Sequence, residues 1–226
     1  MKPFTYLLVN IACIIIPFVA SFYPKHAFYK DWKPFIKANI LVGFLFVVWD
    51  YFFTKAGIWG FNEDYITGIH LGNLPIEEVL FFICIPYACV FSYFAFQYVL
   101  KRNPLKHFHR IVTYILITLF LVIGVLNINK LYTSITFLST GLFLTFLIFR
   151  KVNLSYHYLN YGFILPFFVL SNGVLTGSFL VEPIVWYDDS ENLGIRLFNI
   201  PVEDSVYGML LIFMNIELYN YFKHKK

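Results

Sequence analysis

The stretch Gly68–Glu78, GIHLGNLPIEE, decides the fold, because Gly194–Asp204, GIRLFNIPVED, repeats it 126 residues later. Six of the eleven positions are identical, and Leu74/Ile200, Ile76/Val202 and Glu78/Asp204 are conservative exchanges. Each copy sets two adjacent carboxylates at the mouth of a long apolar run, Val79–Leu100 and Ser205–Phe222. Acidic pairs are costly at a membrane boundary, so a duplicated pair marks a candidate functional site.

The chain around these motifs is 59% hydrophobic and only 13% charged. A soluble domain carries roughly 25% charged residues, so this composition reads as a membrane protein. The many Phe and Tyr residues suit lipid-facing and interfacial positions. The net charge of +4 is no nucleic-acid footprint, since the basic residues fall in short loops between apolar segments. Cys13, Cys84 and Cys89 lie inside apolar runs without Cys-x-x-Cys spacing, so neither disulfides nor a thiolate metal site is expected.

Seven apolar segments approach the length of a bilayer crossing: Phe4–Tyr23, Phe35–Phe53, Glu77–Leu100, Ile111–Ile128, Leu131–Phe149, Tyr158–Leu180 and Glu203–Phe222. The first is long enough to span rather than serve as a signal peptide. No set of alternating ten-residue strands competes, so the segments are expected to be helices. Pro17, Pro86 and Pro166 fall inside them and should kink them. A shift of about 126 residues maps segments 1, 2 and 3 onto 5, 6 and 7 and leaves segment 4 unpartnered.

The expected fold is therefore an all-α integral membrane protein of seven transmembrane helices. Residues 1–100 form one three-helix repeat, 101–130 a connector helix with flanking loops, and 131–226 a second repeat. The odd connector makes the repeats parallel, related by a pseudo-twofold axis along the membrane normal, with both acidic motifs at one face. Lys25, Lys30, Lys33, Lys37, Lys101, Arg102, Lys106, Arg110, Arg150, Lys151, Lys223, Lys225 and Lys226 gather on the other face. Only Lys2, Lys55, Lys130 and Arg196 share the motif face. The positive-inside rule then puts the N-terminus outside, the C-terminus in the cytoplasm, and the motif loops toward the outer face of the cell membrane. Those loops, Thr54–Leu74 and Val181–Ile200, carry Trp59, Phe61, Tyr65, Trp186 and Tyr187, which read as interfacial anchors or as lids.

Pro75 and Pro201 suit the first turn of a helix, and Asn73 and Asn199 fall at or beside its N-cap. A well-capped helix start accounts for one Asn-x-Pro-x-Glu but less well for the shared upstream Gly, Ile and Leu. Neighbouring helical residues point about 100° apart, so Glu77 and Glu78 cannot both face one point. A working pair is expected across the repeat, Glu77 with Glu203 first, then Glu78 and Asp204. Asp50, near the motif face, either assists the site or marks a helix end. Phe81, Phe82, Tyr87 and Tyr207 offer aromatic faces that could stabilise a cation. No dinucleotide fingerprint, P-loop or zinc-protease motif occurs. The Glu-Glu pair suggests a membrane protease of the Glu-Glu-x-x-x-Arg kind, but Phe82 stands where the Arg would be. Another class stays open, a proton- or ion-coupled small transporter with Glu77 and Glu203 at broken helices.

Pro75-Ile76-Glu77-Glu78-x-x-Phe81-Phe82, paired with Pro201-Val202-Glu203-Asp204-x-x-Tyr207, resembles the membrane-integral lycopene cyclases of the heterodimeric or fused carotenoid type, here the fused form. The resemblance covers essentially the whole chain and implies redox-neutral cyclisation of the ψ-ends of lycopene, through γ-carotene to β-carotene. It implies no FAD or NAD(P)H and a polyene substrate drawn from the bilayer; no metal is expected from the motifs, and other carotenoid enzymes are the expected partners. Glu77 and Glu203 would be acid and base, with Asn73 and Asn199 holding them.

Overall fold

The computed structural model describes residues 2–100 and 103–225. Lys101, Arg102 and Lys226, counted above with the basic face, lie outside the described residues. Seven α-helices make up most of the described residues: α1 Thr5–Ala20, α2 Trp32–Lys55, α3 Ile76–Val99, α4 His109–Leu126, α5 Leu131–Phe149, α6 Ser155–Leu175 and α7 Val202–His224. The first six are long and apolar enough to cross a membrane. Helix α7 falls short because it carries Glu203, Asp204, Asn215, Glu217 and Asn220. It tolerates them by lying inside the bundle, with α2, α3, α5 and α6 packed around it. Polar groups are affordable in a membrane helix that faces protein instead of lipid.

The packing crosses between the halves. Helix α1 lies on α3 and α5 on α7, while α2 packs chiefly on α7, and α3 on α6 as well as on α2. Phe46 of α2 and Phe82 of α3 pack in one cluster with Leu210 and Leu211 of α7. Helix α4 packs almost wholly on α5, and two glycines allow the close approach that membrane helices use. A Cβ on Gly124 would lie 2.6 Å from the Leu138 side chain and 3.1 Å from its backbone nitrogen. On Gly141 it would lie 2.9 Å from Leu121. Gly124→Ala should therefore destabilise the fold by about 1–3 kcal/mol through overpacking. The expected reading is a lower thermal midpoint in detergent with turnover per folded molecule unchanged.

Among the described residues six short strands, which helical periodicity did not suggest, pair as three antiparallel ribbons. β2 (His70–Leu71) pairs with β3 (Leu74–Pro75), and β5 (Arg196–Leu197) with β6 (Ile200–Pro201). Each acidic motif is thus a hairpin running straight into a helix. The hairpin tips are Gly72-Asn73 and Phe198-Asn199, with the first tip residue at φ +67° and +53° respectively. Asn73 and Asn199 sit at these tips instead of at helix caps, and Asn73 donates to the Tyr51 carbonyl at 3.1 Å. Pro75 and Pro201 occupy the cap position, one residue before the helix, where their missing N–H leaves no orphan donor. The third ribbon joins the halves: β1 (Trp59–Phe61) pairs with β4 (Val185–Tyr187). The two long loops are therefore tied to each other at the motif end of the bundle.

Candidate active site

Glu77 and Glu203 occupy the second helical position of α3 and α7 and turn back toward their own loops. Oε1 of Glu77 accepts the Thr67 N–H at 2.8 Å. Oε1 of Glu203 accepts the equivalent Leu193 N–H and the Thr133 hydroxyl, both at 2.7 Å. Each carboxylate thus pins the backbone just ahead of the motif glycine, Gly68 or Gly194. Asn10 of α1 steadies the same turn by donating to the Glu77 carbonyl at 2.8 Å. Both side chains are fully buried, and neither lines the main cavity.

The next residue around each helix does line it. Glu78 and Asp204 face one cavity of about 650 Å³, shared with Asp50. Tyr6 of α1 donates its hydroxyl to Glu78. Tyr132 of α5, 126 positions later, donates to Asp204 at 2.5 Å. The tyrosine–carboxyl pair is thereby duplicated, one copy from each half, and the copies meet in one chamber. Their surroundings differ. Asp204 also accepts from Asn172 and from the Tyr187 hydroxyl, each at 2.9 Å, so three donors serve it. Among the described residues Glu78 has Tyr6 alone. Asp50 accepts the Trp59 indole N–H, and its second oxygen has no partner among the described residues.

Aromatic rings close the chamber. Trp59 and Tyr187, from the paired strands, face inward over it, which makes them a roof and not interfacial anchors. Burial first, and then the charge of Asp204, hold the Tyr187 phenol well above its ordinary pKa, so it stays a donor. Trp59 and Tyr132 meet edge-on with ring centroids 5.0 Å apart, and Tyr207 approaches Trp59 at 6.2 Å. Phe81 and Tyr207, which correspond under the 126-residue shift, both line the cavity. Phe82 does not; it is buried against Phe46. Tyr87 lies away from the chamber, bonded to Ser21 at 2.6 Å and Trp32 at 2.9 Å. Tyr6, Tyr132 and Asn172 are additions to the expected set, while Trp59 and Tyr187 follow the lid alternative. The identity of Tyr6 and Tyr132 at the repeat spacing was the available signal for the first two.

Buried carboxyls around an apolar, aromatic-walled cavity within membrane-type helices define acid–base equipment for an apolar substrate. A family model described as lycopene cyclase matches residues 3–96 and again 129–222, two stretches offset by the same 126 residues as the motifs. The chain belongs to the lycopene cyclase family, and the resemblance carried by the paired motifs is borne out. Membership makes it an enzyme of carotenoid cyclisation with a lipophilic carotenoid substrate in the membrane. Comparisons with curated proteins and with solved structures gave no match.

Proposed function

We propose that this protein is a lycopene β-cyclase that closes the ψ-ends of lycopene by proton transfer alone, through γ-carotene to β-carotene. The observation that carries this reading is the convergence of Glu78 and Asp204, one from each half, on one aromatic-walled chamber. Glu78, with a single donor, is the group that carries a proton; Asp204, with three donors, is the group suited to hold a negative charge. Glu78 protonates C2 of the terminal double bond, leaving a tertiary cation at C1. The C5=C6 double bond closes through C6 onto C1, which moves the cation to C5. Asp204 takes the proton from C6, and the C5=C6 double bond re-forms within the ring.

One proton enters and one leaves, and no electrons are exchanged, so the chemistry asks for no redox partner. Asp204 returns its proton to Glu78 by way of Asp50, which lines the same chamber. The rings of Trp59, Tyr132 and Tyr207 offer π faces to the passing cation, and the roof of Trp59 and Tyr187 excludes the water that would trap it. Glu77 and Glu203 act one step back, by fixing the hairpins from which the reacting carboxyls project.

The same proposal includes seven crossings, with α7 shielded by its neighbours, and parallel repeats with the chamber toward the outer leaflet of the cell membrane. The β1–β4 ribbon supports the parallel arrangement, because it ties both long loops together at one end. The test is expression in a bacterium that accumulates lycopene, with pigments separated by chromatography. Yellow bicyclic product is expected in place of red lycopene. Unchanged lycopene beside well-expressed, membrane-inserted protein would overturn the assignment.

A further inference from the structure

The cavity is a slot with chemistry at one end. Along α3 its lining runs from Glu78 to Ser92, a rise of about 21 Å. Its acidic lining residues, Asp50, Glu78 and Asp204, all lie at the end roofed by Trp59 and Tyr187. Away from them the walls are Cys13 and Ile16 of α1, Ala88 and Ser92 of α3, and Phe163 and Phe167 of α6. Ile16 is 75% exposed and Phe167 58%, so this part of the slot reaches the lipid-facing surface between α1 and α6. That pair of helices shares one of the smaller interfaces in the bundle.

From this shape we infer that the substrate threads end-first from the bilayer between α1 and α6, and that the enzyme cyclises one end per visit. The inference rests on the cyclase reading above. An extended carotenoid is about as long as the hydrocarbon core is thick, roughly 30 Å, so its far end must remain in the slot mouth or in lipid while its near end reacts. Trp59 and Tyr187 line the acid end, and no second set of carboxyls lines the slot among the described residues. The far end can therefore reach Glu78 only if the half-cyclised molecule withdraws, reverses in the bilayer and enters again. The occupant is a linear apolar polyene because the slot is apolar along its length and continuous with the acid chamber.

The test is a time course with purified enzyme in liposomes holding lycopene in large excess. At the first few per cent of conversion, monocyclic carotenoid should be nearly the sole product, with bicyclic product following after a lag. Bicyclic product dominating from the first time points would overturn the one-end inference, since both ends would then react without exit. Total absence of cyclic product from folded wild type would instead strike the cyclase assignment itself. A second arm places bulk in the slot. Ala88→Phe should lower turnover at least tenfold, while Ile83→Phe, on the lipid-exposed side of the same helix, should leave it unchanged. Wild-type turnover in an Ala88→Phe protein that elutes and melts like wild type would overturn the threading route.

Discussion

Glu78→Gln should leave lycopene unconverted, while the neighbouring Glu77→Gln should retain most of the activity. The two residues are adjacent in sequence and differ by about 100° on the helix, which separates their roles. Gln at 78 can still accept the Tyr6 hydroxyl, so the fold is kept, but it has no proton to give to C2. General acid–base groups contribute about 10²- to 10⁴-fold, and a loss at the upper end is expected here because protonation initiates the reaction. Gln at 77 retains an amide oxygen that can accept the Thr67 N–H, the one bond Oε1 makes. Glu77→Ala removes that acceptor and leaves a part-buried N–H unpaired, at a cost of about 1 kcal/mol. It should appear as a lower melting temperature and less inserted protein. The check is initial rate per folded molecule in liposomes for all three variants. Equal loss of rate in Glu77→Gln and Glu78→Gln would place both carboxyls in the chemistry and remove the distinction.

The ordering of those two residues shows where reading the chain by itself stopped. The repeat spacing carried the architecture, since Gly68, Asn73, Pro75 and Glu77 each reappear 126 positions on. Identity, however, marked the residues that build the hairpin. Glu77 and Glu203 match because both must reach back to a backbone N–H ahead of a glycine at φ +79° or +71°. The chamber residues differ between halves, Glu78 against Asp204 and Phe81 against Tyr207, as the proposed division into acid and base asks. Period and spacing also cannot show a two-residue strand. The β2–β3 and β5–β6 hairpins are too short for an alternating pattern, and they moved Asn73 and Asn199 from helix caps to turn tips. Trp59 and Tyr187 were legible as aromatic loop residues, but their inward direction depends on the ribbon between β1 and β4. That is a long-range contact between loops 126 residues apart in the repeat. Helix α7 was found by its motif despite its polar content, where hydropathy alone passes it over.

Asp204→Asn should do something different from Glu78→Gln, and the difference separates base from acid. With Glu78 intact, C2 is still protonated and the ring still closes, leaving the cation at C5. Asn keeps a side-chain oxygen for Tyr132 but offers only a feeble base to the proton on C6. The rate should fall by about 10²-fold or more, and the cation that does form must lose a proton elsewhere. Loss from C4 gives an ε-ring, and loss from the C5 methyl gives an exocyclic double bond. Both take the ring double bond out of conjugation with the polyene, so the residual product should absorb at shorter wavelength than β-carotene and separate from it on chromatography. Glu78→Gln should give no such products, because it never makes the cation. If Asp204→Asn yields only unreacted lycopene, Asp204 acts before the cation, as acid or as support for the acid. If it yields β-rings at the wild-type rate, the proton leaves to another group, and Asp50 is the remaining carboxyl in the chamber. The position of the double bond in a slow variant's product therefore reports which carboxyl stands over C6.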